Sequence, residues 1–190
     1  MTEKFDALES LKSCGALTTG HFKLSSGRHS DTYIQCSTLL KDPKLALAAG
    51  RAIAAAVDDP VDVVLSPALG AVVIGFATAA ALGRESIFAE RVEGAMTLRR
   101  GFDIEPGARF LLVEDVITTG GSILELARMV EDAGATVVAL ACIVQRGEID
   151  SGGRRVVPLT KVGVDSFAPE ECPLCAKGAP IDSPGSRFSK

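Results

Sequence analysis

Apolar blocks broken by short polar, glycine and proline stretches divide this chain into regular elements. Phe5, Leu8 and Leu11 fall at helical spacing before a stop at Gly15. A strand-and-turn region covers residues 22–36. Asp42-Pro43 opens an Ala-rich helix reaching about Val57, with a good N-cap and proline at the first helical position. Residues 61–65 predict a short buried strand closed by Ser66-Pro67, residues 70–82 a helix ended by Gly83, and residues 86–89 another strand. Residues 91–109 are polar and read as irregular. Residues 110–115 predict a strand ending in two acids, followed by a loop, a helix to Ala133, a stop at Gly134 and a strand over residues 136–144. A last strand is expected at 159–164. From residue 43 to 144 the order is α-β-α-β-loop-β-α-β. Continuous apolar strands separated by helices predict an α/β fold, with a parallel sheet covered on both faces. Ligands of such sheets bind beyond the carboxyl ends of the strands, which would cluster the regions of Ser66, Glu90, Glu114 and Gln145.

The length of 190 residues suits one domain with a full core. Aromatics are only 5%, so the layers must pack closely on small side chains. A net charge of -4 argues against a broad nucleic-acid-binding face. The longest apolar stretch, residues 71–82, is interrupted by Gly75 and Thr78 and reads as a buried helix rather than a membrane span. The first residues carry acids and no apolar core of a secretory signal. These features predict a cytoplasmic protein that does not bind membranes, with its five cysteines mostly reduced.

The densest chemistry lies in Phe110-Leu111-Leu112-Val113-Glu114-Asp115-Val116-Ile117-Thr118-Thr119-Gly120-Gly121-Ser122. An apolar strand ends in two carboxylates, then a loop of hydroxyls and glycines opens a helix. Free N–H groups and the dipole at a helix start attract an anion. Gly120 and Gly121 allow close backbone approach, and Thr118, Thr119 and Ser122 add donors. Glu114 and Asp115 suit a diol or a hydrated Mg2+. Phosphate at one end and diol at the other describe a ribose 5-phosphate. A Walker loop would need a lysine after its second glycine, and a Rossmann fingerprint a third glycine. An ordinary strand-turn-helix capped by Ser122 is the plain alternative, but a cap needs one such residue rather than six.

These thirteen residues resemble the phosphoribosyl-diphosphate (PRPP) signature of type I phosphoribosyltransferases. A second segment, Phe22-Lys23-Leu24-Ser25-Ser26-Gly27-Arg28-His29-Ser30-Asp31-Thr32-Tyr33, resembles the N-terminal pattern F-x-L-x-S-G-x-x-S-x-x-Y of the orotate members. The resemblance implies a central parallel sheet flanked by helices with an N-terminal hood. It implies transfer of phosphoribosyl from PRPP to orotate, with Mg2+ as cofactor, in a homodimer. PRPP would be held by residues 114–122 and by Ala68, Leu69 and Gly70, the last three at the family's pyrophosphate loop. Glu114 and Asp115 would act in catalysis. Orotate would meet Thr118, Arg146, Ser26 and Tyr33. Arg146 stands where the family places an arginine for the orotate carboxylate, which a guanidinium fork suits. A surface arginine in a turn is its bland reading, and a plain hairpin is that of the hood segment.

Two loops depart from the family. Leu69 and Gly70 stand where many orotate enzymes carry a lysine. The family's mobile lid is lysine-rich with one histidine, whereas this chain offers Arg91, Arg99 and Arg100. Arg91 matches the lid's opening residue. Arg99 and Arg100 either supply charge to the leaving pyrophosphate or form a solvated hairpin edge. The chain divides into a hood segment (1–40), a core (41–165) and a Pro/Cys-containing tail (166–190), expected to be extended with local order as the alternative. In the tail, Cys172-Pro173-Leu174-Cys175 is half of a zinc spacing. Cys14, Cys36, Cys142, His21, His29 or a second subunit would complete it, and plain reduced thiols are the alternative. A transferase for another base and a non-catalytic PRPP-sensing regulator remain as rival functions.

Overall fold

The computed structural model describes residues 5–24, 26–163 and 165–184. Ser25 of the hood pattern and Val164 of the expected last strand lie outside them. The order is α1 (Ala7–Ser13), β1 (Leu17–Lys23), β2 (His29–Ile34), α2 (Cys36–Leu40), α3 (Pro43–Ala55), β3 (Val63–Pro67), α4 (Val72–Leu82), β4 (Glu85–Val92) and β5 (Ala95–Leu98). It continues through β6 (Arg109–Ile117), α5 (Gly121–Asp132), β7 (Thr136–Gln145), β8 (Val156–Lys161), β9 (Ser166–Phe167) and α6 (Pro173–Ala176). A six-stranded sheet runs β5-β4-β3-β6-β7-β8, parallel except for β5 at one edge. A separate antiparallel sheet, β1-β2-β9, forms the hood.

β6 shows why the buried strands read as unbroken apolar runs. Leu111 and Val113 join the core that also holds Ala49, Ile53 and Ile74 of α3 and α4. Phe110 and Leu112 join the opposite core, with Ile123, Leu126 and Val130 of α5. Successive side chains point to opposite faces, and both faces are covered. Small residues bring α3 and α4 close: a Cβ on Gly50 would lie 2.4 Å from the Ala77 carbonyl carbon. Asp42 caps α3 by accepting from the Lys44 N–H at 2.8 Å, and Gly83 ends α4 in the left-handed conformation, φ 65°.

Several expectations change. Ser66 and Pro67 lie inside β3 rather than closing it. Beyond Leu65↔Leu112, β3 no longer pairs with β6, so the missing N–H of Pro67 costs no rung on that side. The stretch expected to be irregular contains a hairpin. β4 runs on to Val92, turns at Glu93 (φ 49°) and Gly94 (φ 89°), and returns as β5. Two positive-φ residues match the twist of a tight hairpin. α2 was not anticipated, β8 begins at Val156, and α5 is capped by Gly120 rather than Ser122. The tail is partly folded: β9 joins the hood, and a short helical turn and α6 follow. Among the described residues, no helix is long and apolar enough to cross a membrane.

Candidate active site

β3 and β6 are neighbours, but the chain leaves them in opposite directions, to β4 on one side and β7 on the other. A crevice opens beyond the carboxyl ends of strands at such a switch point. The loops after the two strands meet there. A Cβ on Gly70 would lie 3.2 Å from Asp115 Oδ2. The Ala68 N–H donates to the Ala89 carbonyl at 2.8 Å, which ties the Ala68-Leu69-Gly70 loop to β4. The Ala68–Leu69 peptide is cis, and Leu69 is 84% exposed.

An open pocket of about 160 Å³ is lined by Glu114, Val116, Ile117, Thr118, Thr119, Gly120, Gly121, Ser122 and Ile123. At its floor α5 begins. Gly120 adopts φ 77° and offers no capping side chain, so nothing of its own competes with an incoming anion for the first-turn N–H groups. A Cβ there would lie 3.2 Å from Leu124 Cδ1, so glycine answers both conformation and space. Thr118 and Thr119 are exposed at the rim.

The acidic pair stands near the end of β6, just before its last paired residues, Val116 and Ile117. Burial, then the charge of Asp115, then a hydrogen bond with it push the Glu114 carboxyl from its ordinary 4.5 up to about 9. Glu114 therefore holds a proton at neutral pH. Asp115 Oδ1 accepts the Val116 N–H at 2.9 Å. The pair can accept hydrogen bonds from vicinal hydroxyls, and a hard cation could replace the proton.

Arg146 follows β7, and its N–H donates to the Ile117 carbonyl at 2.8 Å. Its side chain is half-buried, with no ion pair or hydrogen bond among the described residues, and burial lowers its pKa. A half-buried guanidinium of this kind can receive a carboxylate.

The other arginines are engaged elsewhere. Arg91 pairs with Glu125 of α5 at 2.9 Å, and Glu125 also accepts the Met96 N–H at 2.6 Å, clamping the hairpin to α5. Arg100 pairs with Glu90 at 2.7 Å and lies 5.7 Å over the Phe88 ring, while Arg99 stands 3.7 Å from Glu90. Arg99 and Arg100 thus stand just past the hairpin, both facing Glu90. Sequence reasoning placed Glu90 at a strand end without its arginine partners and missed Glu125, since neither strand pairing nor the helix face beside it was legible. Tyr33 leans on Phe22 with ring centroids 5.6 Å apart, and Ser26 lies in the exposed turn between β1 and β2. Neither lines the pocket. The hood reaches the site at its other end, where Cys36 Sγ faces the Asp115 carbonyl at 3.8 Å. Cys172 and Cys175 gather with His21 and His29, outside the pocket, whereas Cys142 is buried in the sheet with its thiol pushed up to about 12 by burial.

A family model described as "Phosphoribosyl transferase domain" matches residues 35–150. The orotate phosphoribosyltransferase of Chlorobium phaeobacteroides is 48% identical over 186 residues, covering 96% of each chain. That of Pelotomaculum thermopropionicum is 48% identical over 91% of this chain and 92% of its own. The crystal structure of orotate phosphoribosyltransferase from Aeropyrum pernix superposes with a TM-score of 0.69 at 26% identity, covering 83% of this chain and 94% of that one.

Proposed function

The chain belongs to the phosphoribosyltransferase family, among the orotate phosphoribosyltransferases, and from that premise we propose how its residues divide the work. It transfers the 5-phosphoribosyl group from PRPP to orotate, giving orotidine 5′-monophosphate and pyrophosphate, a step of pyrimidine synthesis. The observation that carries the division is the crevice itself. The half-buried acid pair lies on β6, α5 opens at the pocket floor, and Arg146, whose side chain has no hydrogen bond or ion pair among the described residues, is tied through its N–H to Ile117 between them.

The loop Val116 to Ser122 takes the 5-phosphate, because it combines first-turn N–H groups with three hydroxyls. Glu114 and Asp115 hold the ribose hydroxyls, and the negative charge of Asp115 stabilises the cationic sugar as the bond to pyrophosphate breaks. Ala68, Leu69 and Gly70 take the pyrophosphate, packed beside Asp115. Arg146 receives the orotate carboxylate, Thr118 borders the base, and Ser26 and Tyr33 of the hood cover it. Orotate's ring nitrogen attacks as an anion, so positioning supplies most of the catalysis. Arg91, Arg99 and Arg100 serve the leaving group by exchanging Glu125 and Glu90 for its phosphate oxygens.

Mg2+ fits the acid pair, because Glu114 holds a proton for want of a countercharge. When bound, the ion neutralises the charge of the diphosphate. The enzyme works as one domain. It acts as a homodimer in the cytoplasm: Val73 and Phe76 on α4 and Leu69 in the loop before it are exposed apolar side chains suited to a second copy, and five unpaired cysteines suit a reducing compartment.

Loss of orotate ultraviolet absorbance, with protein, PRPP and Mg2+ together, tests the reading. Turnover should stop when PRPP or Mg2+ is withheld and should not occur with adenine, hypoxanthine or uracil. Consumption of another base instead would overturn the role of Arg146 and the hood. PRPP binding without turnover of any base would point to a regulator.

A further inference from the structure

Two histidines of the hood and two cysteines of the tail converge away from the active site. His21 lies on β1, His29 on β2, and Cys172 and Cys175 flank the start of α6. His21 Nε2 is 3.2 Å from His29 Nδ1, 3.4 Å from Cys172 Sγ and 3.6 Å from Cys175 Sγ. His29 Nδ1 is 3.3 Å from Cys175 Sγ, and all four atoms lie within 4.8 Å of one another. Metal–nitrogen bonds of about 2.0–2.1 Å and metal–sulfur bonds of about 2.3 Å at tetrahedral angles require edges of about 3.3 Å between nitrogens and about 3.6 Å between nitrogen and sulfur. The four distances just given are those of the edges of a tetrahedral coordination shell, and the remaining two edges lie within 4.8 Å.

Hydrogen bonding alone does not account for the cluster. His21 Nδ1 is 2.9 Å from the Ala179 carbonyl, an oxygen that can only accept, so that nitrogen carries the proton. Nε2 of the neutral ring then has one lone pair, yet three polar atoms crowd within 3.6 Å of it. One lone pair accepts one proton. A cation at the centre takes a lone pair from each of the four. The Nδ1–H···O=C bond is also the outer contact that orients a metal-bound imidazole. His21, His29 and Cys172 are buried, and Cys175 forms the outer edge.

We propose that His21, His29, Cys172 and Cys175 bind a structural zinc ion that fastens the tail to the hood. The mixed nitrogen and thiolate set is borderline-soft, which favours zinc over the hard Mg2+ of the active site. Four protein ligands leave no open position, so the site is structural. The tail needs such a fastening. Among its described residues Cys172 alone is buried, and neither the turn Pro169–Glu171 nor α6 buries a side chain apart from the ligand before it. Its other ties are polar: β9 pairs with β2, the Lys23 N–H donates to the Asp182 carbonyl at 2.8 Å, and the Asp182 N–H donates to the His21 carbonyl at 2.7 Å. Metal binding supplies the folding free energy that apolar burial does not.

The test uses the full chain without an affinity tag, grown with added zinc and purified without chelators. Metal analysis should find about one zinc per chain. Replacing it with Co2+ should give the strong visible bands of a tetrahedral ion and a thiolate-to-metal band in the near ultraviolet. The double substitution Cys172→Ser/Cys175→Ser should abolish both signals, while Asp115→Asn should leave them intact. Stripping the zinc should speed amide exchange over residues 166–184, and adding zinc back should restore protection. Less than about 0.1 zinc per chain together with no tetrahedral Co2+ spectrum would overturn the proposal. So would zinc retained in full by the double variant. These readouts need no orotate turnover, so they stand or fall apart from the active-site reading.

Discussion

At the residue scale, Glu114 and Arg146 are both shifted from their solution behaviour by burial, and each makes a prediction. A carboxyl whose folded pKa lies above its unfolded value binds its proton more tightly when folded. Stability from Glu114 is therefore full below about 4.5 and falls as pH rises toward about 9. Glu114→Gln removes the titration. The ligand-free variant should match the wild type at pH near 4.5 and melt several degrees higher by pH 9, where ~1 kcal/mol corresponds to about 2–4 °C for a chain of this size. Thermal melts across that range check it, and a gap that does not grow with pH would refute the buried, protonated state. For Arg146, substitution by alanine should raise the KM for orotate at least about tenfold and leave PRPP affinity unchanged. Lysine should rescue little, since it lacks the planar fork. Steady-state kinetics with each substrate varied separate the two effects.

At the element scale, the join between β6 and α5 decides how the phosphate is held. Gly120 sits at φ 77° with Leu124 3.2 Å from where a Cβ would be. Gly120→Ala should cost about 1–2 kcal/mol of stability. It should also raise the KM for PRPP about tenfold by turning the first-turn N–H groups off the anion. Calorimetry and initial rates on one preparation measure both. The β4–β5 hairpin is the other element with a functional consequence. Glu125 holds it at two points, through Arg91 and through the Met96 N–H. Glu125→Gln should quicken amide exchange over residues 92–98. The expected stability loss is under ~1 kcal/mol, because this ion pair is partly exposed. Unchanged exchange in the hairpin would show that strand pairing alone holds it.

At the scale of the whole molecule, the crevice exists because two helices pack tightly on one face of the sheet while α5 covers the other. The contact of Gly50 with Ala77 sets how close α3 and α4 lie, and through α4 where the Ala68-Leu69-Gly70 loop stands. Gly50→Ala puts a methyl 2.4 Å from backbone that cannot give way locally. It should lower stability by about 1–3 kcal/mol. Chemical denaturation measures that loss. The KM for PRPP should rise as the loop after β3 is displaced relative to Asp115.

The chemistry of Glu114 to Ser122 was legible in the sequence because it is local. A strand end, two acids, a glycine turn and a helix start follow one another directly, and backbone geometry obliges them to lie side by side. The alternation of helices and apolar strands likewise implied a parallel sheet, since strands buried on both faces need no polar side. The edge hairpin escaped that reading because its second strand is only four residues long and follows a polar turn, and only pairing with β4 defines it. What each arginine faces, the approach of Gly70 to Asp115, and the meeting of His21 and His29 with Cys172 and Cys175 were decided by tertiary structure. These contacts join residues up to about 150 positions apart, and they depend on strand order and register. Hydrophobic periodicity says which face of an element is buried, but not which distant element covers it.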